Sequence, residues 1–121
     1  IFIFFKTLES LRIENKLHTI NTSKITNDTP KTDILYSDDY VWIESVNVFA
    51  KIKLACQNEG ISFDLSRQEL YQKLESEKLL ITKDNRRSYE YRKGQFRQSV
   101  ICLPRNNLNR YLTYDKEDIK L

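Results

Sequence analysis

Methionine is absent from this 121-residue sequence, and glycine, proline and cysteine occur only twice each. So few glycines and prolines exclude a disordered low-complexity chain and argue against a β-sandwich with many turns. The two cysteines, Cys56 and Cys102, lie far apart in apolar runs and lack the close pairing that a zinc site needs. We expect two reduced, buried thiols, with a disulfide between them as the alternative.

Groups for catalysis are also scarce. The single histidine, His18, lies in a predicted helix without a neighbouring partner, and the sequence has no glycine-rich phosphate loop. Asp38 and Asp39 are adjacent, and we place them in a turn, not in a metal site. The sequence therefore predicts a non-catalytic domain without a cofactor or a metal.

The opening apolar run, residues 1–5, is too short to span a membrane, which takes about 20 residues, and no basic stretch precedes it. We expect a cytoplasmic protein that does not bind membranes. Because there is no initiator methionine, we also expect the chain to be a segment of a larger protein, with an upstream domain of the same polypeptide as a partner.

The sequence does contain a strong helix-start signal near its middle. Ser66 and Glu69 have the spacing of a capping box, in which each side chain bonds to the backbone N–H of the other residue. Leu65 and Leu70 occupy the positions of a hydrophobic staple around this cap. The pattern predicts a helix over about 67–78.

Hydrophobic periodicity and turn residues predict the remaining elements. They are a helix over 4–20, a polar loop over 21–33, strands at 34–36 and 40–43, a helix between a Ser45 cap and Gly60, strands at 79–82, 89–91 and 96–103, and a last helical turn at 115–121. We expect strands 79–82 and 96–103 to pair antiparallel, with 84–95 as a wing between them.

This order of elements predicts an α+β fold, the winged helix-turn-helix, with three helices and a small antiparallel sheet that carries a basic wing. The expected organisation is an N-terminal helix and polar linker at 1–33, a winged-helix core at 34–104 and a polar tail at 105–121. The turn before the third helix is longer than the 3–4 residues usual in a helix-turn-helix.

Positive charge is concentrated in the predicted wing. Residues 79–110 carry eight basic and two acidic side chains, a net charge of +6 in a chain whose total is +3. Tyr89 and Tyr91 are interleaved among them, which suits phosphate contact with aromatic packing. On the third helix, Gln68 and Gln72 face away from the predicted core, and glutamine can pair with an adenine edge. The residues predicted to bind nucleic acid are Arg67, Gln68, Gln72, Lys73, Lys83, Arg86, Arg87, Arg92, Lys93 and Arg97.

Two features weaken specific DNA recognition. Glu69, Glu75 and Glu77 on the third helix would repel phosphates, so we expect the wing to drive binding and the helix to add little specificity. The basic residues also have a simpler explanation, because lysine and arginine keep exposed edge strands from pairing with other chains.

Five stretches carry a resemblance to a known family. They are residues 40–43, Glu59-Gly60-Ile61-Ser62-Phe63, Glu69-Leu70-Tyr71-Gln72-Lys73-Leu74, Leu79-Leu80-Ile81, and Gly94-Gln95-Phe96-Arg97 leading into 100–103. In their apolar spacing they resemble the C-terminal winged-helix region of helicase–primase proteins of phages, plasmids and other bacterial mobile elements. The resemblance covers about 40–105. It implies a domain that follows an ATP-driven helicase core and helps it to engage origin, duplex or forked DNA.

Two functional classes therefore stay open. One is a nucleic-acid-binding accessory domain of a replicative helicase or primase. The other is a winged-helix adaptor that binds protein and not DNA.

Overall fold

The computed structural model describes residues 1–110, so the helical turn predicted at 115–121 lies outside the described residues. The described part is an α+β structure, as the sequence predicts. Its helices are α1 (Phe2–Ile13), α2 (Asn47–Asn58) and α3 (Arg67–Ser76). Its strands are β1 (Thr19–Asn21), β2 (Ile34–Tyr36), β3 (Tyr40–Glu44), β4 (Ser88–Lys93) and β5 (Phe96–Pro104), and 3-10 turns cover Thr22–Lys24 and Arg105–Arg110.

The five strands of the described part form one mixed sheet in the order β1–β2–β3–β5–β4. β1 runs parallel to β2, and every other neighbouring pair is antiparallel. In the centre of the sheet Trp42 of β3 lies opposite Cys102 of β5, and on the other side of β5 Ser88 of β4 lies opposite Ile101. β4 is therefore an edge strand.

The strand predicted at 79–82 is reduced to a single bridge, in which the Ile81 N–H donates to the Cys102 carbonyl at 2.8 Å. Leu79 and Leu80 both pack into the main core, and within 79–82 only Ile81 bridges to β5. The chain then turns through two residues with positive φ, Asp84 and Asn85, and β4 takes the edge of β5 instead.

Two helices are shorter than predicted. α1 ends at Ile13, not near residue 20, because Asn15 adopts a left-handed φ of 59°. The Lys16 N–H then bonds to the Leu11 carbonyl at 2.9 Å, the closing bond of a Schellman motif. α3 ends in the same way, with Lys78 as its left-handed residue at a φ of 60°.

The start of α2 differs from the prediction in its cap. The carboxylate of Glu44, not the hydroxyl of Ser45, accepts the backbone N–H groups of Val46, Asn47 and Val48. The Ser45 hydroxyl bonds instead to that of Ser99 at 2.6 Å. At the other end the prediction is confirmed, because Gly60 follows the C-cap with a φ of 70°.

The capping box of α3 is present as predicted. The Ser66 hydroxyl accepts the N–H of Glu69 at 3.1 Å, and the Glu69 carboxylate accepts the N–H of Ser66 at 3.0 Å. Leu70 and Leu74 follow on the buried face of the helix, both fully excluded from solvent. The cap therefore fixes the side of α3 that faces the core and the side that faces outward.

Apolar side chains pack on both faces of the sheet. The main core joins the three helices to one face, and its largest fully buried members include Phe4, Phe5, Leu8, Ile52, Leu70, Leu74, Ile101 and Leu103. On the outer face, Ile25, Leu35 and Phe96 form a smaller cluster against Ile20, Trp42 and Tyr91. Both cysteines are buried and unbridged, as predicted.

The segment before β2 contacts the tip of the β4–β5 hairpin. The side-chain oxygen of Asn27 accepts the Gln95 N–H at 3.0 Å, and the Lys93 ammonium donates to the Thr22 carbonyl. Gly94 between them has a left-handed φ of 58° and leaves no room for a Cβ beside Asn27. The hairpin tip is thus attached to a part of the chain about seventy residues away in sequence.

Candidate nucleic-acid interface

A cleft of about 590 Å³ separates the first turns of α3 from the turn that precedes β4. We call it the helix–wing cleft; its lining residues are Arg67, Gln68, Tyr71, Glu75, Asn85, Arg86, Arg87 and Ser88. Four of them belong to the predicted nucleic-acid-binding set: Arg67, Gln68, Arg86 and Arg87. The fold therefore brings part of the third helix and part of the basic segment to one surface.

An ion pair joins the two walls of the helix–wing cleft. The Nε and Nη2 atoms of Arg87 each lie 3.0 Å from one carboxylate oxygen of Glu75. Both side chains are about 40% exposed, so the pair adds little to stability but limits the positions that the wing takes relative to α3. It also offsets part of the charge of Arg87.

The floor of the cleft is anchored at the start of α2. The Tyr71 hydroxyl donates to the Ser45 carbonyl, and an Arg67 guanidinium nitrogen approaches the same oxygen at 3.5 Å. Burial raises the pKa of Tyr71, so that its hydroxyl stays protonated and remains a donor. Arg67 is thereby positioned at the first turn of α3, half-buried and beside the opening.

A second cleft of about 460 Å³ lies along the free edge of the β4–β5 hairpin. We call it the hairpin-edge cleft; its lining residues are Trp42, Lys83, Asp84, Arg86, Tyr89, Glu90, Tyr91 and Arg92. Three of them, Lys83, Arg86 and Arg92, belong to the predicted set. Because Arg86 lines both clefts, the two openings adjoin.

Aromatic rings form one side of the hairpin-edge cleft. The indole N–H of Trp42 donates to the Tyr89 hydroxyl at 2.9 Å, and the Trp42 and Tyr91 ring centroids are 5.2 Å apart. The Lys83 ammonium lies 5.1 Å from the centroid of the Tyr89 ring, within cation–π range. Trp42 was not among the predicted site residues, although its alternation with the buried Val41 and Ile43 places it on the face away from the helices.

The remaining four predicted residues line neither cleft. Gln72 and Lys73 are exposed on α3, and Lys93 is at the hairpin tip, bonded to the backbone as described above. Arg97 is exposed and lies opposite Arg92 in the hairpin register, so two like charges sit side by side. Glu90 pairs with Arg92 at 3.3 Å and relieves part of that repulsion.

Within residues 1–110, only two of the predicted cations, Arg87 and Arg92, form ion pairs. Lys73, Lys83, Arg86, Lys93 and Arg97 are exposed. Cations that are accessible and not already neutralised are the ones that can replace the counterions of a nucleic-acid backbone. The described surface therefore keeps enough free positive charge for several phosphate contacts.

Burial raises the pKa of three titratable groups at the hairpin, Tyr89, Tyr91 and the Cys102 thiol. It raises the pKa of Tyr89 to about 12 and that of the Cys102 thiol to about 11. All three groups lose a proton more readily in the unfolded chain, so high pH favours unfolding. We expect the free energy of unfolding, measured by urea denaturation, to be unaffected by these groups below about pH 9 and to fall from there towards pH 12.

Tyr89→Phe is the matched variant for this prediction, because it removes one of these titrations while keeping the ring. Its stability should decline less steeply than that of the wild type above about pH 10. Equal unfolding free energies of the wild type at pH 8 and pH 11 would contradict the assignment.

None of the helices in the described part combines the length and apolarity needed to cross a bilayer. Among the same residues, no three histidine, cysteine or acidic side chains are grouped so that they could hold a metal ion. Neither a scan of the chain against protein-family models nor a search of curated proteins finds a match.

Proposed function

We propose that this chain is a nucleic-acid-binding winged-helix domain, an accessory part of a replicative helicase or primase of a mobile element. The order α1, β3, α2, α3, β4, β5 supports the winged-helix assignment. So does the pairing of β3, β5 and β4 as adjacent antiparallel strands, with the two helices connecting the first to the last. In this assignment α3 is the recognition helix and the β4–β5 hairpin with residues 84–87 is the wing.

The observation that carries the proposal is the set of cations that continues from one cleft to the other through Arg86. Arg67 and Gln68 at the start of α3 line the helix–wing cleft, Lys83 lines the hairpin-edge cleft, and Arg86 of the wing lines both. These cations hold phosphates, whatever the base sequence. Gln68 and Asn85 are the amide side chains of the helix–wing cleft suited to an adenine edge, and the cations of the two clefts outnumber them, so the domain depends mainly on backbone contacts.

The cellular context rests on the resemblance of residues 40–105 to helicase–primase winged-helix regions. In that context the domain follows an ATPase core on the same polypeptide, acts in the cytoplasm and needs no cofactor of its own. Its contribution is to hold duplex or forked DNA while the core translocates.

The test is fluorescence anisotropy of labelled duplex, forked and single-stranded oligonucleotides across a salt series. If five cations of the surface each neutralise one phosphate, the slope of log affinity against log salt is about −4.5. Binding should then weaken by roughly 500-fold between 50 and 200 mM salt. No measurable binding to any of the three at about 50 mM salt would overturn the proposal for this domain.

A protein-adaptor function has one observation in its favour. A groove of about 380 Å³ between α1 and α2 exposes Leu54 and Ile61, which are 57% and 39% accessible. Apolar side chains exposed in a groove are typical of surfaces that dock a partner protein. This function becomes the leading one if the oligonucleotides do not bind.

A further inference from the structure

The hairpin-edge cleft has a fixed aromatic floor. Trp42 and Tyr91 belong to the strands on either side of β5, and their rings meet across it at an interplanar angle of 59°. The hydrogen bond from the indole N–H to Tyr89 holds the Trp42 ring in place. At about 460 Å³ the cleft is within the size range of small-molecule sites, which runs from about 300 to 1,000 Å³.

The walls of this cleft carry both signs of charge. Lys83, Arg86 and Arg92 are the cations, and Asp84 and Glu90 are the acids. Glu90 already pairs with Arg92, while the Lys83 ammonium lies near the Tyr89 ring and keeps its charge available. An aromatic surface beside accessible cations is the combination with which proteins bind single-stranded nucleic acid, since bases stack on the rings and the cations contact the backbone.

The hairpin-edge cleft meets the helix–wing cleft, where the proposed function places the duplex, at Arg86. Arg86 lines both clefts, so it is placed to contact a strand that leaves a duplex at the helix–wing cleft and runs around the edge of the sheet to Trp42 and Tyr91. We infer that the hairpin-edge cleft takes an unpaired base of that strand, which makes a junction between double-stranded and single-stranded nucleic acid the substrate class of the domain. This inference rests on the proposed function. It assigns duplex binding to the helix–wing cleft and binding of an unpaired base to the hairpin-edge cleft.

The experiment compares three DNA ligands: a blunt duplex, the same duplex with a short single-stranded arm, and the same duplex with an arm of equal length made of abasic sites. The two arms have equal numbers of phosphates and differ only in their bases. Trp42 is the only tryptophan of the chain, so its fluorescence reports directly on the cleft. For one stacked base, the arm with bases should bind about 5- to 150-fold more tightly than the abasic arm, and only it should quench Trp42.

A variant separates stacking from charge. Tyr91→Leu keeps an apolar side chain but removes one of the two rings of the floor, so it should lose most of the preference for bases over abasic sites. Phe2→Leu is the matched control, because Phe2 is an aromatic residue of α1 that is 62% exposed and far along the chain from both clefts. It should retain the full preference.

The outcomes distinguish the inference from the proposed function. Equal affinity for the two arms with unchanged Trp42 fluorescence overturns the inference and leaves duplex binding in place. Absence of binding to all three ligands overturns the proposed function and the inference together. Quenching by free adenosine monophosphate at the concentration that suffices for the arm would assign the cleft to a mononucleotide and overturn strand binding.

Discussion

Leu74→Ala is expected to lower the free energy of unfolding by about 2–5 kcal/mol. Leu74 is fully buried on the inner face of α3 and belongs to the main core that joins the helices to the sheet. The truncation removes apolar contact and leaves a cavity that a close-packed interior fills only in part. Urea denaturation followed by circular dichroism measures the change.

Leu54→Ala is the matched control for this experiment. It makes the same chemical change within α2, but Leu54 is 57% exposed. Its unfolding free energy should stay within about 0.5 kcal/mol of the wild type. Similar losses for both variants would mean that the change reflects helix composition and not the buried face assigned to α3.

Replacing Lys83 and Arg86 together with alanine is expected to weaken nucleic-acid binding by more than tenfold at about 100 mM salt. Both side chains are exposed beside the hairpin-edge cleft, and neither forms an ion pair within residues 1–110. Each lost phosphate contact should also flatten the salt slope by about 0.9, so the double variant should be flatter by up to about 1.8. The salt series described for the wild type measures both quantities.

The control is a double variant with the same loss of charge on another surface. Lys6 and Lys16 line the groove between α1 and α2 and line neither of the two clefts. Alanine at both positions should leave the salt slope nearly unchanged. If the two double variants weaken binding equally, the net charge of the chain and not the cleft surface drives association.

Local signals in the sequence predicted the parts of the fold that depend on local chemistry. The capping box at Ser66 and the left-handed Gly60 each need only neighbouring residues, and both are confirmed. The end of α3 was missed because Lys78 adopts the conformation that glycine adopts most easily, whereas Asn15 at the end of α1 belongs to a residue type that often adopts it. Nothing in the composition of those turns marks a lysine as the residue with positive φ.

Pairing between distant strands was harder to predict. The run 79–82 has the composition of a strand, yet Leu79 and Leu80 both enter the core and leave Ile81 alone to bridge to β5. The choice between 79–82 and 88–93 as the partner of β5 depends on contacts between residues far apart in the sequence. Periodicity over four residues does not resolve such a choice.

The candidate site was predicted by charge but not by geometry. The concentration of charge in the basic segment pointed to four residues that line the two clefts: Lys83, Arg86, Arg87 and Arg92. No local pattern indicates that Glu75 pairs with Arg87, because residues on a helix and a wing become neighbours only through the tertiary fold. Trp42 was not predicted as a site residue because a tryptophan in a strand is usually explained by packing against the sheet.

The hydrogen bond from the Gln95 N–H to Asn27 restrains the tip of the β4–β5 hairpin. A wing that is held at its tip as well as at its base samples fewer conformations than a wing that is held only at its base. The conformational entropy of ordering the tip is lost during folding, so that a ligand that meets the wing does not have to order it again. The loop between β1 and β2 thus helps to hold the wing in one position, and we expect a change in the length of that loop to alter ligand binding without replacing any basic residue of the wing.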